Sequence, residues 1–176
     1  MHIIQTNDSD FKSKIISLYV ETFATGESSQ FIDLDELNKY VDYIFEKGNI
    51  LVCVDNENII GALLSCPLAF DNLLPAEIRQ NYFVEKCVYV AEMMVVEHAR
   101  GNGLGKLLLN KFFETVNIAL YTDAFIRVWD KNLPAIALYK KLGFEFETSI
   151  EQTKTKVDGS GTFVMNKLYL HKKITE

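Results

Sequence analysis

A glycine-rich turn in the middle of the chain constrains the fold more than any other feature of the sequence. The apolar run 88–96 leads into Arg-Gly-Asn-Gly-Leu-Gly at 100–105, and an amphipathic stretch, 106–113, follows directly. This pattern predicts a strand, a tight turn and a helix. Glycines permit positive φ angles and a close approach of ligand to backbone, and the first amide N–H groups of a helix attract anions. The turn therefore predicts a phosphate-binding site.

Three kinds of phosphate-binding turn contain glycines in a similar arrangement. A P-loop requires Ser or Thr after its Gly-Lys pair, whereas Leu107 follows Gly105 and Lys106 here. A dinucleotide-binding turn has the spacing GxGxxG and an acidic residue at the end of the next strand. This chain has GxGxG, and Asp123 lies at the start of that strand. The pyrophosphate of coenzyme A is the third ligand, and Arg100 suits it. These residues alone also leave open an ordinary helix start with glycines for tight packing.

A second segment, 132–144, follows another apolar strand, 124–129, and has the features of a helix. Its first residue, or Asp130 before it, can cap the N-terminus, and Pro134 fits the first turn. Gly143 supplies the left-handed residue that ends many helices. The segment therefore predicts a second strand–helix unit.

The two motifs together resemble the GCN5-related N-acetyltransferase (GNAT) family. The resemblance depends on the turn at 100–105 followed by Asn132, Tyr139 and the sequence Leu-Gly-Phe at 142–144. It covers residues 88–146 by motif and most of the remaining chain by the order of its elements.

The resemblance implies an α/β (α+β) fold with a mixed, mostly antiparallel central sheet, helices on both faces, and central strands that splay apart. The patterns of the chain predict the order β-α-α-β-β-β-α-β-α-β-β. Strands are predicted at 3–6, 50–55, 59–65, 88–96, 124–129, 144–151 and 162–170, and helices at 9–23, 33–45, 106–119 and 132–142, with a short helix near 77–82. A length of 176 residues with 48% hydrophobic content predicts a single domain, 1–176.

Acetyl-CoA is the co-substrate that the resemblance implies. Backbone N–H groups of the splayed strand would bind its pantetheine arm and thioester carbonyl, the glycine-rich turn would hold its pyrophosphate, and Asn132 would contact the arm. The expected cofactor-binding residues are Met93, Met94, Val95, Arg100, Gly101, Asn102, Gly103, Leu104, Gly105, Lys106 and Asn132. We expect no metal, because no His, Cys or carboxylate grouping has the spacing of a metal site.

Two residues are the candidates for proton transfer. Tyr139 stands at the position of the family's tyrosine and is the candidate general acid; periodicity alone would make it a core residue. Glu92 is the candidate general base, because a carboxylate in an apolar strand has a raised pKa. It could equally face solvent or anchor a loop. In the peptide-N-terminal branch of the family a glutamate on the strand before the tyrosine helix is the base, and the matching position here is Arg127.

The predicted function is transfer of an acetyl group from acetyl-CoA to a primary amine of a small molecule, without a covalent enzyme intermediate. A protein or peptide N-acetyltransferase and a non-catalytic acyl-CoA-binding module are the alternatives. Acidic residues near the expected acceptor side would attract a cationic amine, or they form a solvated helix face. They are Glu21, Glu27, Asp33, Asp35 and Glu36.

Composition limits the partners and the compartment. A net charge of −6 argues against nucleic acid, and no apolar stretch reaches the roughly twenty residues of a membrane span. The N-terminus lacks the pattern of a signal peptide. Cys53, Cys66 and Cys87 are odd in number, which favours free thiols in a reducing cytoplasm. Monomer and homodimer both stay open.

Overall fold

The computed structural model describes residues 1–26 and 28–174; Glu27, Thr175 and Glu176 lie outside this description. The strands are β1 His2–Gln5, β2 Asn49–Asp55, β3 Asn58–Pro67, β4 Cys87–Val95, β5 Asp123–Trp129, β6 Glu145–Thr155 and β7 Thr162–Lys173. The α-helices are α1 Lys12–Phe23, α2 Leu34–Lys47, α3 Ala76–Asn81, α4 Leu104–Thr115 and α5 Leu133–Lys141. The predicted element order is confirmed.

The seven strands form one sheet in the order β1-β2-β3-β4-β5-β7-β6. Every pair is antiparallel except β4 and β5, which are parallel and joined by α4. Two hydrophobic clusters lie on opposite faces of the sheet, one with residues of α1, α2 and α3 and the other with residues of α4 and α5. The predicted fold class is confirmed.

The sheet splits between β4 and β5. Their pairing extends over four positions only, from Cys87 with Asp123 to Val90 with Ile126. Beyond these, β4 pairs with β3 and β5 pairs with β7 to their ends. A bulge lies at the start of the split, because Val90 and Glu92 pair with consecutive residues of β3. Bulges bend a strand and redirect its side chains, and this one directs β4 away from β5.

Some element boundaries differ from the sequence-based predictions. Helix α4 ends at Thr115 and not at 119, because Val116 takes an extended conformation and Asn117 starts a new turn that accepts the N–H of Leu120. Both strands of the last hairpin are longer than predicted: β6 continues to Thr155 instead of 151, and β7 continues to Lys173 instead of 170. Their ends are rich in polar residues, so hydrophobic alternation alone underestimates their length.

The three cysteines are buried and free. In the part of the chain that the structure describes, no helix is long and apolar enough to cross a membrane.

Candidate active site

The glycine-rich turn forms an open cradle at the N-terminus of α4. Gly101 and Gly103 have φ angles of 77° and 80°, and a Cβ at either position would have no other atom within 4 Å. Gly103 is the N-cap, and the first helical hydrogen bond runs from the N–H of Leu107 to its carbonyl. The N–H groups of the first turn therefore lack helical acceptors and face outwards. This arrangement fits an anion of the size of a pyrophosphate.

Two residues of the same segment have different roles. The Nε of Arg100 donates to the carbonyl of Val95 at 3.0 Å, which ties the turn to the end of β4. A Cβ at Gly105 would lie 3.1 Å from Cδ2 of Leu138, so this glycine allows α4 and α5 to pack closely. Asn102 and Lys106 complete the exposed and half-exposed surface of the turn.

The split strand supplies backbone donors. Met93, Met94 and Val95 pair with β3 on one side and have no partner strand on the other. Backbone N–H groups that point away from β3 therefore face the split. Such groups can bind a carbonyl oxygen or an amide of a ligand, as buried backbone donors require a partner.

Glu92 lies on β4 at the mouth of the split, on the face of the sheet that α1 and α2 cover. Tyr40 of α2 donates a hydrogen bond of 3.0 Å to its Oε1. Burial raises the pKa of Glu92 to about 7, although the Tyr40 hydrogen bond and the charges of Arg127, Lys167 and Lys154 act to lower it. Glu92 can therefore exchange a proton near neutral pH.

Tyr139 of α5 lies on the other face of the sheet, in the cluster of α4 and α5. Only 5% of its surface is exposed. Its hydroxyl has no hydrogen-bond partner among the described residues, and the oxygen is not fully buried. The hydroxyl can therefore contact a ligand. Burial and the charge of Glu92 raise the pKa of Tyr139, which keeps the phenol protonated at neutral pH.

Asn132 is the N-cap of α5, and its Oδ1 accepts the N–H of Ala135 at 3.4 Å. Of the two caps that the sequence allowed, the structure has this one. The residue is exposed, and its side-chain amide nitrogen is left available at the end of the helix.

Arg127 is bound by a buried carboxylate that the sequence did not indicate. Its Nη1 lies 3.1 Å from Oδ1 of Asp71, and it also donates to the hydroxyl of Tyr169 at 3.0 Å. Tyr169 in turn donates to Asp71 at 2.7 Å, and the N–H of Leu73 donates to the same carboxylate. The position that carries a glutamate in the peptide-N-terminal branch thus holds a cation in a structural ion pair.

Sequence reasoning also missed Tyr40, Lys154 and Lys167. Tyr40 lies 52 residues from Glu92, and no local pattern connects two residues so distant. Lys154 lies beyond the predicted end of β6, so its place on the sheet could not be assigned. Alternation within β7 could have placed Lys167 on the face of Tyr169, two residues away.

Two of the acidic residues on the expected acceptor side have local roles. Asp33 caps α2 by accepting the N–H groups of Asp35 and Glu36, and Glu36 also binds Lys39 at 2.7 Å. Glu27 lies outside the described residues. This distribution is typical of a solvated helix start rather than of a binding site.

The histidines lie away from the split. His98 is exposed in the turn before the cradle, and His171 pairs with Asp123 at 2.7 Å, at the paired end of β5. No group of three or more His, Cys, Asp or Glu among the described residues could hold a metal ion.

The loop between α1 and α2 is attached to the end of β6. The N–H of Phe31 donates to the carbonyl of Thr155 at 2.9 Å, and Gln30 in the same loop is buried. The contact ties the loop after α1 to β6 next to Lys154. We call the surface of the sheet face that carries Glu92, between the split and this contact, the cleft.

Comparisons with known proteins agree with this geometry. The yncA protein of Salmonella typhimurium, solved with its cofactor acetyl-CoA, has 17% identity and a TM-score of 0.73 over 100% of this chain and 95% of its own. A ribosomal-protein-alanine N-acetyltransferase of Brucella melitensis has 17% identity and a TM-score of 0.71, with 98% and 99% covered. Arabidopsis thaliana NAA60, in complex with a bisubstrate analogue, has 20% identity and a TM-score of 0.71, with 99% of each chain covered. These likenesses establish the fold.

No curated protein matches the sequence closely enough to count as a relative. The model of the acetyltransferase (GNAT) family matches residues 13–144, which is most of the chain and includes both motifs. Acetyl-CoA is the co-substrate of that family, as the sequence led us to expect. This chain belongs to the acetyltransferase (GNAT) family.

Proposed function

We propose that this protein transfers the acetyl group of acetyl-CoA to a primary amine of a small molecule. The observation that carries the proposal is a pair of ionisable groups on the two faces of the sheet: Glu92 on β4, beside the split, and Tyr139 in the cluster of α4 and α5. They lie close enough for the charge of Glu92 to raise the pKa of Tyr139. One group can therefore remove a proton from an amine while the other delivers a proton to a leaving group.

Acetyl-CoA, when bound, supplies the acetyl thioester. The exposed N–H groups at the start of α4 hold its pyrophosphate, and those of Met93, Met94 and Val95 that face the split hold its arm and polarise its carbonyl. Pre-aligned donors of this kind contribute about 3 kcal/mol each to transition-state stabilisation. Asn132 contacts the arm from the N-terminus of α5.

The transfer is a direct attack. The amine nitrogen forms a bond to the acetyl carbon, and the bond between that carbon and the sulfur breaks. Glu92 takes the proton that the nitrogen loses, directly or through one water molecule, and Tyr139 gives its proton to the thiolate. A carboxylate whose pKa is about 7 is suited to this role, because it is a stronger base than an ordinary glutamate and is still ionised near neutral pH.

A small acceptor is favoured over a peptide by the attachment of the loop after α1 to β6. The hydrogen bond between Phe31 and Thr155 makes this attachment, and we infer that it leaves less room for an extended peptide than for a small amine. The arrangement at Arg127 also differs from that expected of the peptide-N-terminal branch, since Asp71 holds its guanidinium in place. We propose that residues 1–176 act as one domain, in the cytoplasm.

A thiol-release assay with acetyl-CoA and a panel of small amines, peptides and proteins tests this function. Isothermal titration with CoA and acetyl-CoA is measured in parallel. We expect binding of both coenzymes and release of thiol with small amines. Binding without release on any acceptor would support the non-catalytic acyl-CoA-binding module, and preferential release with peptides would support the peptide N-acetyltransferase.

A further inference from the structure

Three basic side chains follow one another across the sheet face that carries Glu92. Arg127 pairs with Tyr169, and Lys167 lies two residues from Tyr169 on β7. Paired residues and residues two apart on a strand point to the same face of a sheet. Lys167 pairs with Ile150 on β6, and Lys154 lies four residues farther along the same regular stretch. Arg127, Lys167 and Lys154 therefore share one face, in that order away from the split.

The two lysines are partly buried and unpaired. Arg127 has Asp71 as its counterion, whereas neither Lys154 nor Lys167 forms a salt bridge with any described residue. Burial and the neighbouring positive charges lower the pKa of both lysines, that of Lys167 to about 8, and the charge of Glu92 only partly opposes this effect. Cations placed together in this way destabilise a fold unless an anion compensates them.

The rest of the chain makes this local charge unusual. The protein as a whole carries a net charge of −6, so positive charge in the cleft does not reflect a basic composition. Asp71 is committed to Arg127, and Glu92 holds a proton for part of the time at neutral pH. The cleft between the split and Lys154 therefore keeps an excess of positive charge.

A cavity of about 420 Å³ lies beside the outer end of the row. Phe163, which pairs with Lys154, lines this cavity, together with Ser29, Lys156, Val157 and Asp158. Asp158 accepts the N–H of Ser160 at 2.9 Å, so part of its acceptor capacity is used within the hairpin. The row of cations thus ends in a space large enough for a small molecule.

We propose that the acceptor is an amine that also carries an anionic group, a carboxylate or a phosphonate, and that Lys154 and Lys167 bind this group while the amine faces Glu92. The proposal rests on the acetyl transfer proposed above and names its substrate class. It replaces the cationic acceptor that the acidic residues around α2 suggested.

Matched acceptor pairs test the proposal in the thiol-release assay. The pairs are phenylalanine with phenylalaninamide, and 2-aminoethylphosphonate with ethanolamine; spermidine represents polycationic amines. In each pair the second member is called the neutral partner, because a neutral amide or hydroxyl replaces the anionic group. We expect kcat/KM for the anionic member of at least one pair to exceed that of its neutral partner about tenfold or more. The two pairs also separate a carboxylate from a phosphonate. Preference for the neutral members or for spermidine would overturn the proposal.

Variants of the two lysines test whether these side chains bind the anionic group. Lys167→Gln and Lys154→Gln should each lower the ratio of kcat/KM for the anionic acceptor to that for its neutral partner about tenfold. The ratio is the readout because both lysines also affect the pKa of Glu92, which acts on both acceptors alike. Lys167→Arg should retain the preference, because it retains the charge. Lys111→Gln is the matched control, since Lys111 is an exposed residue of α4 that pairs with Glu114. Equal losses for anionic and neutral acceptors would contradict the assignment.

A binding measurement tests the anion site independently of the proposed acetyl transfer. Methylphosphonate and acetate are titrated into the complex of the protein with CoA, and the titration is repeated with the Lys154→Gln/Lys167→Gln double variant. Binding to the wild-type complex that the double variant loses would support the anion site even without thiol release. Absence of binding to the wild-type complex at millimolar concentrations would overturn it.

Discussion

The hydroxyl of Tyr40 donates a 3.0 Å hydrogen bond to Oε1 of Glu92, and this contact joins α2 to β4 at the mouth of the split. A donor to the carboxylate stabilises its charged form and so lowers its pKa, whereas burial raises it. Tyr19, Tyr89 and Tyr139 also lie near enough for the charge of Glu92 to affect their pKa values. The charges of Arg127, Lys154 and Lys167 also act on Glu92 and lower its pKa.

Loss of the Tyr40 hydroxyl should raise the pKa of Glu92 further. In Tyr40→Phe, the rise of kcat/KM with pH should therefore move to higher pH, while the plateau at alkaline pH stays close to that of the wild type. The measurement is kcat/KM for a fixed acceptor between pH 5 and 9, by thiol release. Tyr43→Phe is the control, because the ring of Tyr43 stacks on Phe70 and has no contact with Glu92 in the hydrogen-bond network. A shift to lower pH, or none, would exclude the hydrogen bond as a determinant.

Glu92 itself should link stability to pH. Its pKa is raised from 4.5 to about 7 in the folded protein, so the folded state holds the proton more tightly than the unfolded state. The contribution of Glu92 to stability should therefore fall as pH rises from 4.5 to 7, by up to about 3 kcal/mol, and this contribution should stay constant above that range.

The Glu92→Gln variant should lack this loss. Compared with the wild type it should be more stable at pH 8 and similar at pH 4.5, and its kcat should fall at least about a hundredfold. Urea unfolding at several pH values and thiol release measure the two effects. Parallel stability curves for the two proteins would show that the carboxylate has an ordinary pKa.

Tyr139→Phe should reduce the rate without weakening the fold. Its hydroxyl has no partner among the described residues, so removing it costs no internal hydrogen bond. Loss of a general acid, in contrast, lowers kcat by about a hundredfold to ten-thousandfold. Affinity for CoA should be unchanged in titration calorimetry.

Tyr82→Phe provides the opposite control. The hydroxyl of Tyr82 donates to Glu147 at 2.8 Å, at the paired end of the sheet. This variant should lose about 1 kcal/mol of stability with an unchanged kcat.

For the Tyr139→Phe variant, a kcat equal to that of the wild type would rule out Tyr139 as the general acid.

Substitutions at Gly103 should separate backbone strain from occupation of the cradle. The φ angle of 80° disfavours alanine by about 1 kcal/mol, and asparagine tolerates this region better. Gly103→Ala should therefore be less stable than Gly103→Asn. Both add atoms beside the N–H groups of α4, so both should bind CoA more weakly. If the affinity for CoA falls only in proportion to the loss of stability in the two variants, the added side chain has no effect of its own. That result would show that the turn does not contact the ligand.

Lys167 should destabilise the ligand-free protein, because its charge is partly buried without a compensating anion. Because burial lowers the pKa of Lys167, the folded state binds that proton less tightly than the unfolded state, and stability at pH 7 lies below its value at high pH. Lys167→Met should raise the free energy of unfolding by about 1 kcal/mol at pH 7, an effect discounted for partial solvent exposure. Thermal unfolding without ligand measures it. A lower melting temperature in the variant would indicate that Lys167 stabilises the fold.

The order of the elements and the glycine-rich turn at the start of α4 could be predicted from the sequence because their signals are local. Positive φ angles require glycine at 101 and 103, and strand, turn and helix follow one another along a short segment. Residues 132–143 likewise show a cap, a proline in the first turn and a left-handed stop in order. The hydrogen bonds of these turns and helices join residues that are close in sequence, so neighbouring residues are enough to predict them.

The environment of each catalytic candidate was decided only in three dimensions. The partner of Glu92 is Tyr40 on another element, and the counterion of Arg127 is Asp71, 56 residues away. Lys154 and Lys167 come together because β6 pairs with β7 in one register, and burial then sets the pKa values that the chemistry depends on. A residue's own sequence neighbours carry no information about these contacts, since charge, burial and pairing register arise from strands and helices that meet only when the whole sheet has formed.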